Sequence, residues 1–192
     1  MYHSQFGQDK FINEYIFKGF RDGYFVDVGA HNGVSINNTL CFEKEYGWTG
    51  INIEPIPSVY NELKKNRSKC VNLNVAVDNR NGYTDFILNR GPTEMISGIL
   101  NYYEPQHFVR LRNELDGNGG TSEIVSVPTR RLDDIFMEYE VKHIHLLSID
   151  VEGAELVVLE SINFDTVFID VITIEDNYKT RRSLDFLNQK GY

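Results

Sequence analysis

The stretch YFVDVGAHNG, residues 24–33, constrains the fold more than any other part of the chain. Tyr24, Phe25, Val26 and Val28 form an apolar run of strand length. That run leads directly into an Asp-x-Gly-x-x-x-Gly turn beginning at Asp27. Gly29 and Gly33 let the backbone turn tightly and come close to a ligand. In an open α/β sheet, ligands bind outside the carboxyl ends of the strands, where such a turn lies. A second acid, Glu54, closes another apolar run over residues 50–53. Its carboxylate suits the two hydroxyls of a ribose. Two strand-end acids and one glycine turn point to an adenosine-containing cofactor.

The same alternation of apolar runs and amphipathic segments recurs every 20 to 30 residues. This spacing predicts βαβ units and a parallel sheet. Strands are expected at 24–28, 49–53, 70–75, 144–149 and 167–174, giving five in the core. Helices are expected at 9–20, 35–45, from 58, at 131–139, at 155–159 and at 181–189. The first should turn Phe11, Ile12, Tyr15 and Ile16 inward, and the last Leu184 and Leu187. Residues 79–130 read as an insertion into a single domain spanning 1–192. Its strands at 83–88 and 123–127 pair as a hairpin. Residues 89–122, rich in Gly and Pro, are expected to form a long loop with one short helix over the carboxyl end of the sheet. Five strands leave one sheet edge uncovered, which favours further strands beyond the last helix.

A chain of 192 residues with 41% hydrophobic content suits one globular domain. The formal net charge of -9 makes a nucleic-acid backbone a poor partner. No stretch approaches the roughly 20 apolar residues of a membrane span, and the polar start is no leader. The cytoplasm is the default location, and the sequence leaves the oligomeric state open. Cys41 and Cys70 lack metal-ligand spacing and read as buried thiols.

The turn distinguishes between adenosine cofactors. A dinucleotide fingerprint places two close glycines against a pyrophosphate. Here Asp27 would repel that group. A sulfonium with an amino group suits an acidic loop better, so S-adenosylmethionine is expected rather than NAD. Ala76 is small enough for an adenine ring to lie against it, and Asp78 is positioned to accept from the exocyclic amine. His31, inside the turn, is read as a cofactor contact.

A second motif, SIDVEG at 148–153, ends a central strand with Asp150 and Glu152. Partial burial would raise the pKa of Asp150 and make it a better base. Glu152 reads either as part of that site or as a cap for the next helix. Glu175 and Asp176 end the following strand and should meet Asp150. Asp150, Glu175 and Asp176 could hold Mg²⁺ or Mn²⁺ through oxygen, or bond sugar hydroxyls without metal. His107, in the expected loop, is a candidate catalytic group. Tyr102, Tyr103, His107 and Arg112 are candidates for stacking on and bonding an acceptor. His143 and His145 alternate without a third ligand nearby and support zinc only weakly.

The ordered set FVDVGAHNGVSINNT, GWTGINIEP, NVAV, SIDVEGAELVVLE and the IED segment resembles the FkbM family of S-adenosylmethionine-dependent methyltransferases. The opening Ser4-Gln5-Phe6-Gly7-Gln8-Asp9 is also similar to that family's. The resemblance implies a class I methyltransferase fold and methyl transfer to a hydroxyl of a sugar, glycan or other small molecule. It implies cofactor roles for Asp27, Gly29, His31 and Glu54, and draws Gln5, Gly7, Gln8 and Asp9 toward the cofactor. His31 stands where the pattern often has Asn; both donate a hydrogen bond. N-methylation of a small molecule and a noncatalytic nucleotide-binding scaffold are the alternatives.

Overall fold

The computed structural model describes residues 1–192. The chain enters through a short helix α1, Gln8–Phe11, which runs on as a π-helical turn, Ile12–Phe17. Its apolar face differs from the expected one. Ile12 and Asn13 are buried, while Phe11, Tyr15 and Ile16 are 58%, 66% and 46% exposed. A π turn winds each residue through a smaller angle than an α-helix, so residues that would share an α-helical face drift apart. Asn13 holds the inward side by donating to the hydroxyls of Tyr2 and Tyr46.

Strand β1, Tyr24–Val28, follows, and then the glycine turn. Helix α2, Leu40–Tyr46, starts five residues later than expected. Two local turns hold residues 32–39 out of the helix. Asn32 Oδ1 accepts from the amides of Val34 and Ser35, and Asn37 Oδ1 from those of Thr39 and Leu40. Strand β2, Thr49–Ile53, leads to α3, Pro57–Asn66, where proline occupies a first-turn position that needs no amide donor. Strand β3 is only Val71–Leu73, because the chain then leaves the sheet. It forms β4, Ala76–Val77, which pairs with a different sheet.

The second sheet is built mainly by residues 82–130. Strand β5, Gly82–Arg90, passes through a 3₁₀ turn, Gly91–Ile96, into β6, Gly98–Ile99, and a further short turn. The expected loop then becomes α4, Pro105–Asn118, the longest helix of the chain. His107 and Leu111, four residues apart, face inward; Arg112–Asp116 pairs along its outer side, and Arg110–Glu114 along its flank. Strand β7, Thr121–Arg130, returns antiparallel to β5. The order is β4-β7-β5-β6.

The main sheet resumes after α5, Leu132–Glu138, with β8, His143–Ile149. Helix α6, Glu155–Glu160, strand β9, Phe168–Ile174, and helix α7, Arg182–Gln189, complete it. Leu187 is buried as expected; Leu184 is 47% exposed and faces outward instead. The five strands are all parallel in the order β3-β2-β1-β8-β9. Apolar side chains pack on both faces. Leu132, Ile135, Val158, Leu159 and Leu187 cover one with α5, α6 and α7; Ile12, Cys41, Phe42 and Trp48 cover the other. This is a Rossmann-like α/β sandwich. The order reverses beside β1, so the carboxyl ends of β1, β2 and β8 open onto one crevice. No helix is long and apolar enough to cross a membrane.

Candidate active site

The crevice begins at the glycine turn. Gly29 has φ +84, and a Cβ there would collide with the carbonyl oxygen of Asp150. The turn therefore lies directly against the end of β8. Asp27, almost fully buried, accepts from Asn37 Nδ2 at 2.9 Å and Thr39 Oγ1 at 2.8 Å. Burial raises its pKa, opposed by the Arg67 charge and these donors.

Nothing local in the sequence marks Arg67. It is fully buried at the end of α3 and ion-paired with Glu43. Its guanidinium also donates to the Gly33 carbonyl at 3.2 Å, Asn37 Oδ1 at 3.1 Å and Thr39 Oγ1 at 3.0 Å. A Cβ on Gly33 would meet Arg67 Cγ at 2.5 Å. Gly33 thus makes room for the arginine beneath the turn and does not line the crevice.

Glu54 closes β2 and is buried. It accepts from the amides of His31 at 3.1 Å and Ile56 at 2.8 Å. Burial pushes it up to about 7 against those two donors. The His31 ring reaches the 3₁₀ turn after β5, where Nε2 meets Glu94 Oε1 at 3.0 Å. Ala76 lines the crevice with Val75, Val77, Phe86 and Ile99, an apolar slot of the kind an adenine ring needs. Gln5 also lines it, whereas Gly7, Gln8 and Asp9 do not. The Asp9 carboxylate is occupied by the His3 and Ser4 amides and the Ser4 hydroxyl, so it anchors the N-terminal segment. Asp78 faces away too, accepting from Tyr102 Oη at 2.9 Å.

At the other end, Asp150, Glu152 and Glu175 each bring one carboxylate oxygen within 4.8 Å of the others. The grouping differs from the expected one by one residue. Asp176 is exposed and accepts from the Thr180 amide, outside the crevice. Glu152 takes its place. It has φ +56 and bonds Arg110 Nη1 and Asn177 Nδ2, both at 3.2 Å. Glu155, not Glu152, caps the next turn by accepting from the Gly153 amide. Asp150 opens onto the crevice, so water reaches it while protein crowds it from behind. Crowding raises its pKa, opposed by the bond to Glu175, and raises Glu175 as well through burial and the Asp150 charge. These directions put the proton of the pair on Glu175, donated to Asp150. Burial pushes Glu152 up to about 8 in spite of Arg110.

These shifts make stability depend on pH. A carboxylate whose folded pKa lies above its unfolded value stabilises the fold at low pH. That contribution is lost as pH rises through the folded value. Glu54 and Glu152 set the window between about 4.5 and about 8. The ligand-free protein is therefore expected to melt at steadily lower temperature as pH rises across it, and a cationic ligand should reduce the slope. Calorimetric scans across this range test it; a flat or rising melting temperature contradicts it.

Residues 79–130 line the crevice with other side chains than expected. Tyr102, Tyr103, His107 and Arg112 do not reach it; Glu94, Met95, Ser97, Ile99 and Arg110 do. The cause is the unexpected helix α4. Its inward side buries His107 completely, with the Tyr103 ring 4.0 Å away between centroids, and its outward side exposes Arg112. Burial and the Arg110 charge lower the His107 pKa. Its Nε2 stands 3.5 Å from Glu152, behind the acidic group.

His143, His145 and Asp170 also cluster, at the opposite end of the sheet. His145 Nδ1 accepts the Tyr24 amide at 3.0 Å. Its proton then sits on Nε2, leaving no lone pair for a metal.

A family model described as a methyltransferase FkbM domain matches residues 27–192. The N-terminal segment precedes the matched range. No curated protein matches the chain.

Proposed function

The chain belongs to the FkbM methyltransferase family and is an S-adenosylmethionine-dependent methyltransferase; from that premise we propose that it methylates a hydroxyl of a sugar or glycan. The observation that carries this reading is the acidic group of Asp150, Glu152 and Glu175 beside the glycine turn. A hydroxyl is a very weak acid and needs a base as the new bond forms. Bound S-adenosylmethionine would supply the methyl group to the acceptor oxygen and leave as S-adenosylhomocysteine.

Asp150 accepts the hydroxyl proton in this reading. Glu175, raised by the Asp150 charge, keeps its own proton and donates it to Asp150, which leaves Asp150 ionised to act as the base. Glu152, fixed by Arg110 and Asn177, accepts from neighbouring hydroxyls of the acceptor. At the cofactor end, Glu54 bonds the ribose and Asp27 shapes the turn, with Gln5, Gly29, His31 and Ala76 around it. A Mg²⁺ or Mn²⁺ ion held by Asp150, Glu152 and Glu175 would add a Lewis acid there. Exhaustive chelation tests that part: unchanged turnover removes the metal. We treat residues 1–192 as one domain whose insertion, 79–130, forms the acceptor wall. N-methylation and a noncatalytic scaffold predict no methyl gain on a glycan panel.

Cofactor choice has its own test. Glu54→Ala should weaken S-adenosylmethionine binding by about 1–3 kcal/mol, the scale of a lost buried hydrogen-bond partner. NAD should bind neither form. Calorimetric titration of both ligands decides it; tight NAD binding or an unaffected variant defeats the assignment.

A further inference from the structure

Three exposed apolar side chains stand at the mouth of the crevice. Phe6 is 81% exposed, Ile36 49% and Met95 43%, and all three line the crevice. They come from separate parts of the chain: the segment before α1, the β1–α2 turn and the 3₁₀ turn after β5. Single exposed apolar residues are common and mean little. Convergence of three segments on one opening is different.

Ile36 is the most informative of them. It has φ +50, a conformation rare for a β-branched residue. It is strained, and it gains little burial in return. Asn or Gly would relieve the backbone and suit the solvent better. Folding stability therefore does not account for isoleucine here, and an occupant of the crevice does.

The apolar need of an adenine ring is met by the buried side chains of Ile56, Ala76, Phe86 and Ile99, which leaves the exposed rim to a second occupant. The polar end of the crevice, with Asp150, Glu152 and Arg110, suits the reacting hydroxyl. What remains at the rim is the part of the acceptor that protrudes. We propose that the rim formed by Phe6, Ile36 and Met95 seats an apolar portion of the acceptor, making the substrate an amphiphile: a hydroxyl-bearing sugar on an alkyl or aryl body. This deepens the sugar-hydroxyl reading and rests on it.

The test uses the full chain loaded with S-adenosylhomocysteine and a series of n-alkyl β-glucosides, methyl to octyl, kept below micelle formation. Calorimetry should show Kd falling about two- to fourfold per added methylene, the upper figure being complete burial of each group. Ile36→Asn, Phe6→Ser and Met95→Gln should each flatten that dependence. Ile36→Asn should also melt no lower than the parent, because it relieves strain; a merely structural isoleucine would melt lower. Kd independent of chain length, absence of binding across the series, or variants that keep the full slope would overturn the proposal. Turnover separates it from the parent reading. Chain-length-dependent binding without methyl gain keeps the rim and sinks the sugar hydroxyl. Methyl gain without chain-length dependence does the reverse.

Discussion

Replacing Asp150 by Asn should lower turnover by at least about 100-fold, the scale of a lost acid–base group, while the protein stays folded. Asn has nearly the same shape but no oxygen that can take up the acceptor's proton. The backbone is held independently of the side chain, because the Asp150 amide donates to the Val28 carbonyl at 2.9 Å. Removing one charge from three crowded carboxylates should leave the melting temperature equal or higher. The parent rate should also rise with pH as Asp150 loses its own proton, and the variant should lose that rise. Single-turnover rates across pH, with calorimetric scans beside them, measure both effects. A variant that keeps most of its activity would make Asp150 structural and move the base to Glu175.

Arg67→Met should cost about 3–5 kcal/mol of stability, the penalty for stranding a buried charge partner. Roughly 10 °C in Tm is the corresponding shift for a chain of this size. Arg67 has no solvent exposure, and its guanidinium joins Gly33, Asn37, Thr39 and Glu43. Methionine fills much of the volume but leaves Glu43 and Asp27 without their counter-charge. Cofactor affinity should fall with stability, since Asn37 and Thr39 bond both Arg67 and Asp27. The double change Arg67→Met, Glu43→Leu should recover a large part of the stability and little of the affinity. Denaturant unfolding of the two variants checks this; a single variant within about 1 kcal/mol of the parent would contradict it.

Acids that follow directly on an apolar strand are legible in the sequence. The apolar runs before Asp27, Glu54, Asp150 and Glu175 are parallel strands, and all four acids line the crevice. Asp176 falls outside the crevice because strand alternation ends at Ile174 and the chain then turns. Helix α4 was hidden by its boundaries: Pro105 opens it and Gly117, Gly119 and Gly120 crowd its end, so composition read as loop. Tyr103, just before this helix, and His107, within it, are therefore buried where the composition suggests an exposed loop. Arg67 left no local signal, since an arginine near a helix end normally reads as solvated. Its partners lie 24 to 34 residues away, and only the fold assembles them.

The position of Trp48 has a spectroscopic consequence. It is the only tryptophan, 2% exposed, with its indole N–H donating to the Phe20 carbonyl at 2.9 Å. Phe17, Phe42 and His145 surround it just before β2 begins, at the end of the sheet remote from the crevice. Ultraviolet emission from this indole therefore reports whether the aromatic nest is intact and stays silent when ligands enter. Fluorescence can follow unfolding of this chain with a single well-located reporter, and occupancy of the crevice has to be read by heat or mass.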